Sequence, residues 1–359
     1  MAKIIIHFPF KINRDRAAAS QLRPIKIIET FEAMGYDVCL IEGYGKDRKK
    51  QINNIKKAIL SGEKFDFVYS ESNTSPTLLT EKHHYPTYPF LDFSFFKFCK
   101  KNNVKIGLFY RDIYWCFPEN NHGIIRKLML LFYKYDLYNY NKYVSTLYVP
   151  SYDMVKYIPY KLKMPISELY PGCIKYSRRD VNENRDKIKI LYVGGIGCHY
   201  DISMIMDVVK DQPFVNLTIC CRPDDWESAK SYFLPFVGDN MTIVHKSGNE
   251  LNALYEDADL FCLFVKPNKY WEFAVPFKLF ETIGHGCPIL STEGLWVSKF
   301  VDRYGIGFTC GFDKESLKQL FRYLQTNRKE LLKVKEQVSL IIDDNTWETR
   351  CRNIVSDLT

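Results

Sequence analysis

Short apolar runs alternate with helical patterns along nearly the whole chain, and this alternation limits the fold more than any other feature. Strand-like runs in the first half fall at residues 3–7, 37–41, 65–70, 105–110 and 146–149. Helical patterns lie between them, for example 24–34, where Ile25, Ile28 and Phe31 form the apolar side. A new set opens in the second half, at 188–193, 215–221, 241–245, 260–265, 288–291 and 306–309. Strands that are apolar throughout, each followed by a helix, predict parallel sheets covered on both faces.

With 359 residues the chain is long for one core and fits two domains of ordinary size. The break falls where Pro171-Gly172 makes a turn and 177–186 is polar, charged and free of apolar periodicity. The expected organisation is two Rossmann-like, doubly wound α/β domains, 1–170 and 187–342, joined by a linker at 171–186. A final helical segment, 343–359, is placed to return to the first domain. Two such domains are expected to face a central cleft lined by the carboxyl ends of their strands.

Composition narrows the setting. The apolar fraction of 46% is that of a globular protein, and the formal charge of +8 suits anionic partners without choosing among nucleotide, lipid surface and nucleic acid. Eleven cysteines, an odd number with no Cys-x-x-Cys, read as reduced thiols of a cytoplasmic protein. The opening Met-Ala-Lys-Ile-Ile-Ile-His is too short in apolar residues for a signal peptide, and no run reaches the length of a membrane span. Any membrane contact is therefore expected at the surface, peripheral to the inner face. The basic, aromatic segment 124–148, with Arg126, Lys127, Lys134 and Lys142, is a candidate for such contact or an ordinary helix with one buried face. No nucleic-acid recognition motif supports that class of partner.

The stretch 275–288 carries the strongest chemical signal. Pro276 suits a first helical position. Lys278 then falls in the first turn, where the helix dipole is already positive, with Glu281 on the same face. Both positive charges make sense around a bound anion, with Glu281 left to accept from sugar hydroxyls. The alternative is a solvated Lys–Glu pair. Gly194-Gly195-Ile196-Gly197 follows a strand, so it is either a phosphate-approaching turn or simply a tight one; Tyr200 stands where a dinucleotide fingerprint needs glycine. Arg222 and Lys246 end the next two strands and would join Lys278 around one anion, unless Arg222 merely pairs with Asp224 or Asp225. Glu272, in the loop before Pro276, either meets a sugar hydroxyl or is an exposed loop residue.

In the first half, Asp112 at a strand end is a candidate base or hydroxyl anchor, or else a cap beside Arg111. The loop 70–76, with Glu71, is rich in hydrogen-bonding groups, and Arg23 near the first helix is a further acceptor-side candidate. Asp257-Ala258-Asp259 closes a helix, and His83-His84 lacks partners at metal-ligand spacing, so no metal and no cofactor is expected. Phosphate-loop and nucleophile-elbow motifs are absent.

Over 187–309, and more weakly over the first half, the chain resembles nucleotide-sugar glycosyltransferases of the GT-B fold, nearest to glycosyltransferase family 4. The resemblance rests on Pro276, Lys278, Glu281, Gly286 and Pro288, which match a Pro-x-Lys-hydrophobic-hydrophobic-Glu helix followed by Gly-x-Pro. It implies that Lys278 binds the donor diphosphate, Glu281 the ribose, Gly195 faces the diphosphate and Arg222 neutralises it; Gly194 and Lys246 are donor-side candidates from their places at strand ends. Family members commonly have two glutamates separated by seven residues; eight residues separate Glu272 from Glu281. The implied activity is metal-independent transfer of a sugar from a nucleotide diphosphate sugar to a glycan or lipid-linked acceptor of bacterial-type surface polysaccharide, with retention of configuration. Were the reaction inverting, Asp112 is the residue placed to act as base. Competing classes are an oxidoreductase or methyltransferase, which needs a glycine fingerprint where this chain has His7-Phe8-Pro9-Phe10, and a non-catalytic nucleotide-binding protein.

Overall fold

The computed structural model describes residues 2–15, 18–117, 124–176, 186–197 and 200–359. The chain divides into two compact units, one built from 1–171 and 347–359 and the other from 172–346. The described residues of each are taken in turn.

The first unit runs β1 (Lys3–His7), α1 (Ala19–Ala33), β2 (Asp37–Ile41), α2 (Gly45–Leu60), β3 (Phe67–Glu71), α3 (Leu91–Lys101), β4 (Lys105–Phe109), α4 (Ile124–Tyr143), β5 (Thr146–Val149), α5 (Tyr152–Val155) and β6 (Ile166–Glu168). Its six-stranded sheet has the order β2-β1-β3-β4-β5-β6, parallel throughout. The order reverses between β1 and β3, which is where an open parallel sheet leaves room for a ligand beyond the strand ends. Right-handed crossovers place α2, α3 and α4 on one face. β3 is buried at every position, as a central strand covered on both faces must be. β6 escapes periodicity because it is a three-residue edge strand of half-buried residues.

Pro24 was expected to open the first helix, yet α1 begins at Ala19 and carries the proline inside. A ring there removes one backbone hydrogen bond. Burial of Arg23, Ile27 and Phe31 on the inner face holds the helix together all the same.

The second unit runs β7 (Ile188–Val193), α6 (Ser203–Val209), β8 (Val215–Cys220), α7 (Pro223–Phe233), β9 (Met241–Val244), α8 (Leu251–Asp257), β10 (Leu260–Leu263), α9 (Phe277–Gly284), β11 (Ile289–Thr292), α10 (Trp296–Tyr304), β12 (Gly307–Cys310), α11 (Lys314–Thr326) and α12 (Arg328–Leu340). The strand order is β12-β11-β10-β7-β8-β9, again parallel, with its reversal between β7 and β10. Ile190, Leu217, Ile219, Leu260 and Cys262 pack with Phe233, Leu317 and Phe321 into its main core. Each such side chain contributes roughly 1.5–3 kcal/mol through burial.

α13 (Trp347–Leu358) belongs to the first unit, where it packs on α1 and β4. Gly107 admits it: a Cβ there would stand 2.7 Å from Leu358. Within the second unit, 172–176 lie against 342–346 through Cys173 N donating to Asn345 O at 2.7 Å. Most of the polar linker, 177–185, lies outside the described residues.

Candidate functional site

α9 forms because Leu279, Phe280 and Ile283 give it an apolar stripe buried in the core. Pro276 is its N-cap in extended conformation, one position before the first helical residue, where the sequence had placed it. Lys278 and Glu281 occupy the opposite face, with side chains 30% and 20% exposed. The ammonium of Lys278 donates to both oxygens of Glu281, at 2.9 and 2.8 Å. The pairing sets one carboxylate and one ammonium side by side in the first turn, at the end of the loop that leaves β10.

Two further basic positions, Lys246 and Arg222, were expected nearby. Cys220 closes β8 and is buried; burial raises its thiol, and the charges of Lys278 and Lys246 both pull it back. Both ammonium charges thus act on the end of β8. Lys246 is exposed, and its carbonyl accepts from the Cys220 thiol at 3.4 Å. Arg222 is exposed as the N-cap of α7. Among the described residues no carboxylate pairs with it. Asp224 and Asp225 instead occupy the first turn of α7, where the dipole favours them.

Gly194 and Gly195 follow β7 directly and are half-buried. Gly194 N donates to Cys220 O at 3.0 Å, which joins this turn to the end of β8. The buried Tyr192 hydroxyl donates to Gly195 O. A Cβ on Gly195 would lie 3.6 Å from a carboxylate oxygen of Asp225. Asp225 was read from the sequence only as a possible partner of Arg222; its charge opposes an anion at this turn. Glu272 is half-buried in the loop before α9. The loop is pinned by Trp271, whose N–H donates to Asn268 and whose carbonyl accepts from Trp296 N.

The far end of α9 is the part that sequence reasoning missed. His285 lies flat between Tyr176 and Tyr255, with ring centroids 3.9 and 4.1 Å apart and planes within 6° and 5° of parallel. Burial, reinforced by the Lys278 charge, pulls the imidazole down to about 4. Tyr176 N donates to Gly284 O at 3.1 Å. Only glycine fits at 284, since a Cβ would sit 2.2 Å from Ile174 O. Segment 172–176 is thereby locked onto the helix that bears Lys278 and Glu281.

In the first unit Asp112 follows β4 and accepts from the Thr74 hydroxyl at 2.8 Å. Burial raises its carboxyl above the ordinary range, with Thr74 and the Arg111 charge offsetting part of the effect. The loop after β3 and the turn after β4 thus meet. Tyr133 donates to Thr74 O at 2.9 Å, and Trp115 stacks on Tyr133 with centroids 4.7 Å apart.

Glu71 and Arg23, read from the sequence as acceptor-side groups, are both buried. Glu71 accepts from Arg23 Nε and Arg111 at 3.0 Å each and from the Tyr69 hydroxyl at 2.8 Å. Arg23 also lies 3.6 Å over the Phe109 ring. A carboxylate this well satisfied orients the half-buried Arg111 rather than meeting solvent. A second buried network joins His7 to Ser70 and Asp92 at 2.9 Å each, with Arg48 gripping both oxygens of Asp92. Burial works to raise Asp92, but the bonds from His7 and Arg48 prevail and hold its carboxyl below the usual range. Serine, histidine and aspartate in line invite a nucleophile reading, yet all three are buried, so the network is structural. Asp257 and Asp259 pair with the side chain and backbone N–H of Lys189 respectively. Among the described residues, no three histidine, cysteine or acidic side chains gather as metal ligands.

No protein-family model matches the chain, and no curated protein matches it in sequence. Solved structures do. Sucrose-phosphate synthase from Thermosynechococcus elongatus superposes with a TM-score of 0.66 at 12% identity, over 99% of this chain and 98% of that one. HepE of Anabaena, solved with UDP and glucose, gives 0.64 at 10% identity over 99% and 98%. WaaG, a glycosyltransferase involved in lipopolysaccharide biosynthesis, gives 0.61 at 16% identity over 99% and 100%. At these identities the likeness is one of fold. The two Rossmann-like sheets of this chain are those of the GT-B glycosyltransferase architecture.

Proposed function

We propose that the protein is a hexosyltransferase of the GT-B type, moving a sugar from a nucleotide diphosphate sugar to a glycan or lipid-linked acceptor in surface polysaccharide synthesis. The observation that carries this reading is the Lys278–Glu281 pair, at the start of a helix beside the strand-order reversal of the second unit, with Lys246 close by. The full-length likeness of fold to a protein solved with UDP-glucose supports it. In this reading the second unit holds the donor. Glu281 accepts from the ribose, and Lys278, Lys246 and Arg222 meet the diphosphate, with Gly194 and Gly195 giving its oxygens close backbone approach.

The chemical step breaks the bond from the anomeric carbon to the diphosphate oxygen and forms one to an acceptor oxygen. Negative charge grows on the leaving diphosphate, and fixed cations stabilise it by several kcal/mol, the role a metal ion fills elsewhere. With retention the acceptor proton leaves with the departing diphosphate; were the reaction inverting, Asp112 would take it. The raised carboxyl of Asp112 suits it to taking a proton. Arg111, held by Glu71 and Arg23, lines the acceptor side, and Glu272 is assigned to the transferred sugar. Retention of configuration, metal independence and a cytoplasmic, peripheral location belong to the same proposal.

A nucleotide-binding protein without transfer is the second reading. A thermal-shift panel of UDP, GDP, ADP, dTDP and CMP, run on the native chain and on Lys278→Ala and Glu281→Ala, tests both. One nucleotide should stabilise the native protein, and each variant should lose about 10-fold or more in affinity, the worth of one charge-assisted hydrogen bond. Unchanged affinity in both variants would remove the assignment. Binding without sugar release to any acceptor would favour the second reading.

A further inference from the structure

The outer face of α4 exposes Lys127, Leu131, Lys134, Tyr138 and Lys142, residues spaced three or four apart and so aligned along one side of the helix. Leu131 is 60% exposed, Tyr138 52%, and Leu128 beside them 50%. Lys142 lies 5.7 Å over the Tyr138 ring, which gathers cation and aromatic at one end of the stripe. The neighbouring α3, packed against α4 on the same sheet face, adds exposed Lys97, Lys100 and Lys101. Phe90, just before α3, is 71% exposed, and the adjacent Pro89 carbonyl accepts from Tyr135 of α4. The acidic residues of the two helices, Asp92 and Asp136, are both buried. The surface therefore presents six lysines among projecting apolar groups and no carboxylate from either helix.

Ordinary solvated helices mix charges of both signs, and monomers keep large apolar side chains covered. A face that is cationic throughout and studded with leucine and aromatic side chains matches the boundary of an anionic bilayer: ammonium groups at headgroup depth, apolar groups just below. We propose that α4 and the edge of α3 form a docking surface for anionic phospholipid. The surface gives a structural basis to the peripheral location in the proposed function, and because it is defined without reference to the donor site, its failure would leave sugar transfer itself untouched.

The test is sedimentation of the full chain with vesicles of phosphatidylcholine alone or mixed with phosphatidylglycerol. The protein should pellet with the mixed vesicles only, and raising ionic strength to about 0.5 M should release most of it. Lys127→Glu/Lys134→Glu/Lys142→Glu should weaken binding by about a hundredfold, roughly fivefold per lysine compounded. Leu128→Asp/Leu131→Asp should weaken it as well, with the thermal midpoint unchanged because both side chains are already exposed. Three reversals on the second unit, Lys318→Glu, Arg322→Glu and Lys329→Glu, should leave binding within about twofold. Equal loss in that control would reduce the effect to overall charge and overturn the proposal. So would vesicle binding that survives the α4 changes, tighter binding to a random oligonucleotide than to anionic vesicles, or a dimer that the α4 variants dissociate while vesicle binding persists.

Discussion

The stacked His285 makes a measurable claim about pH. In the folded chain the imidazole takes its proton only near about 4, against 6.5 for a free histidine, because burial and the Lys278 ammonium disfavour the charged ring. The neutral ring is thus the form the fold prefers. Its stabilising contribution is complete above about 6.5 and is lost as pH falls through about 4. The gap corresponds to about 3 kcal/mol, and to about 2 kcal/mol once the solvent-facing part of the ring is discounted. His285→Phe keeps an aromatic plane between Tyr176 and Tyr255 and removes the titration. Denaturant unfolding of the two proteins near pH 7.5 and near pH 4.5, followed by a probe in the second unit, should show the native chain losing about 2 kcal/mol more than the variant. The imidazole resonances give the direct readout. A His285 ring that protonates at about 6 or above would refute the reasoning, because a half-buried imidazole stacked between two tyrosines under the Lys278 charge cannot keep its free proton affinity.

Other consequences are as definite. Asp136 in the first unit is pushed up to about 7 by burial, and one of its oxygens has no partner. A raised carboxyl favours the fold below about 3.8 and loses that contribution as pH rises through about 7, so Asp136→Asn should be the more stable protein at pH 8, by about 2 kcal/mol in urea titrations. If the product's anomeric configuration is inverted, Asp112→Asn should lower turnover by about 10²–10⁴ with donor affinity unchanged, as for any lost proton acceptor; an inverting enzyme at full activity in this variant would remove Asp112 from the reaction. Gly284→Ala drives a methyl against the Ile174 carbonyl and should cost about 1–3 kcal/mol, seen as a lower thermal midpoint.

The strands were legible because fully buried parallel strands read as unbroken apolar runs. Val215–Cys220 and Leu260–Leu263 were found to within two residues of their ends. The three-residue edge strand β6 and the early start of α1 were not legible, since neither leaves a periodic trace. The Lys278–Glu281 face was visible because a cation in a first turn breaks the dipole preference. The networks of His7, Ser70 and Asp92, and of Tyr176, Tyr255 and His285, join residues 22 to 109 positions apart, so no local pattern could announce them. Arg23 and Glu71 misled for the opposite reason: charged residues beside a strand end suggest solvent, and only the fold shows that both are buried, with Arg23 Nε donating to Glu71.

The return of α13 makes the first unit discontinuous, with 172–346 as an insertion between its parts. Leu358 reaches Gly107, and Trp347 lies 5.9 Å from Arg23, only after the ribosome has passed the whole insertion. A nascent first unit therefore emerges with its α1 and β4 flank bare. The inserted unit begins and ends with two paired segments, Cys173 beside Thr346, and can close on itself beforehand. Synthesis order thus favours a chain whose middle matures before its beginning.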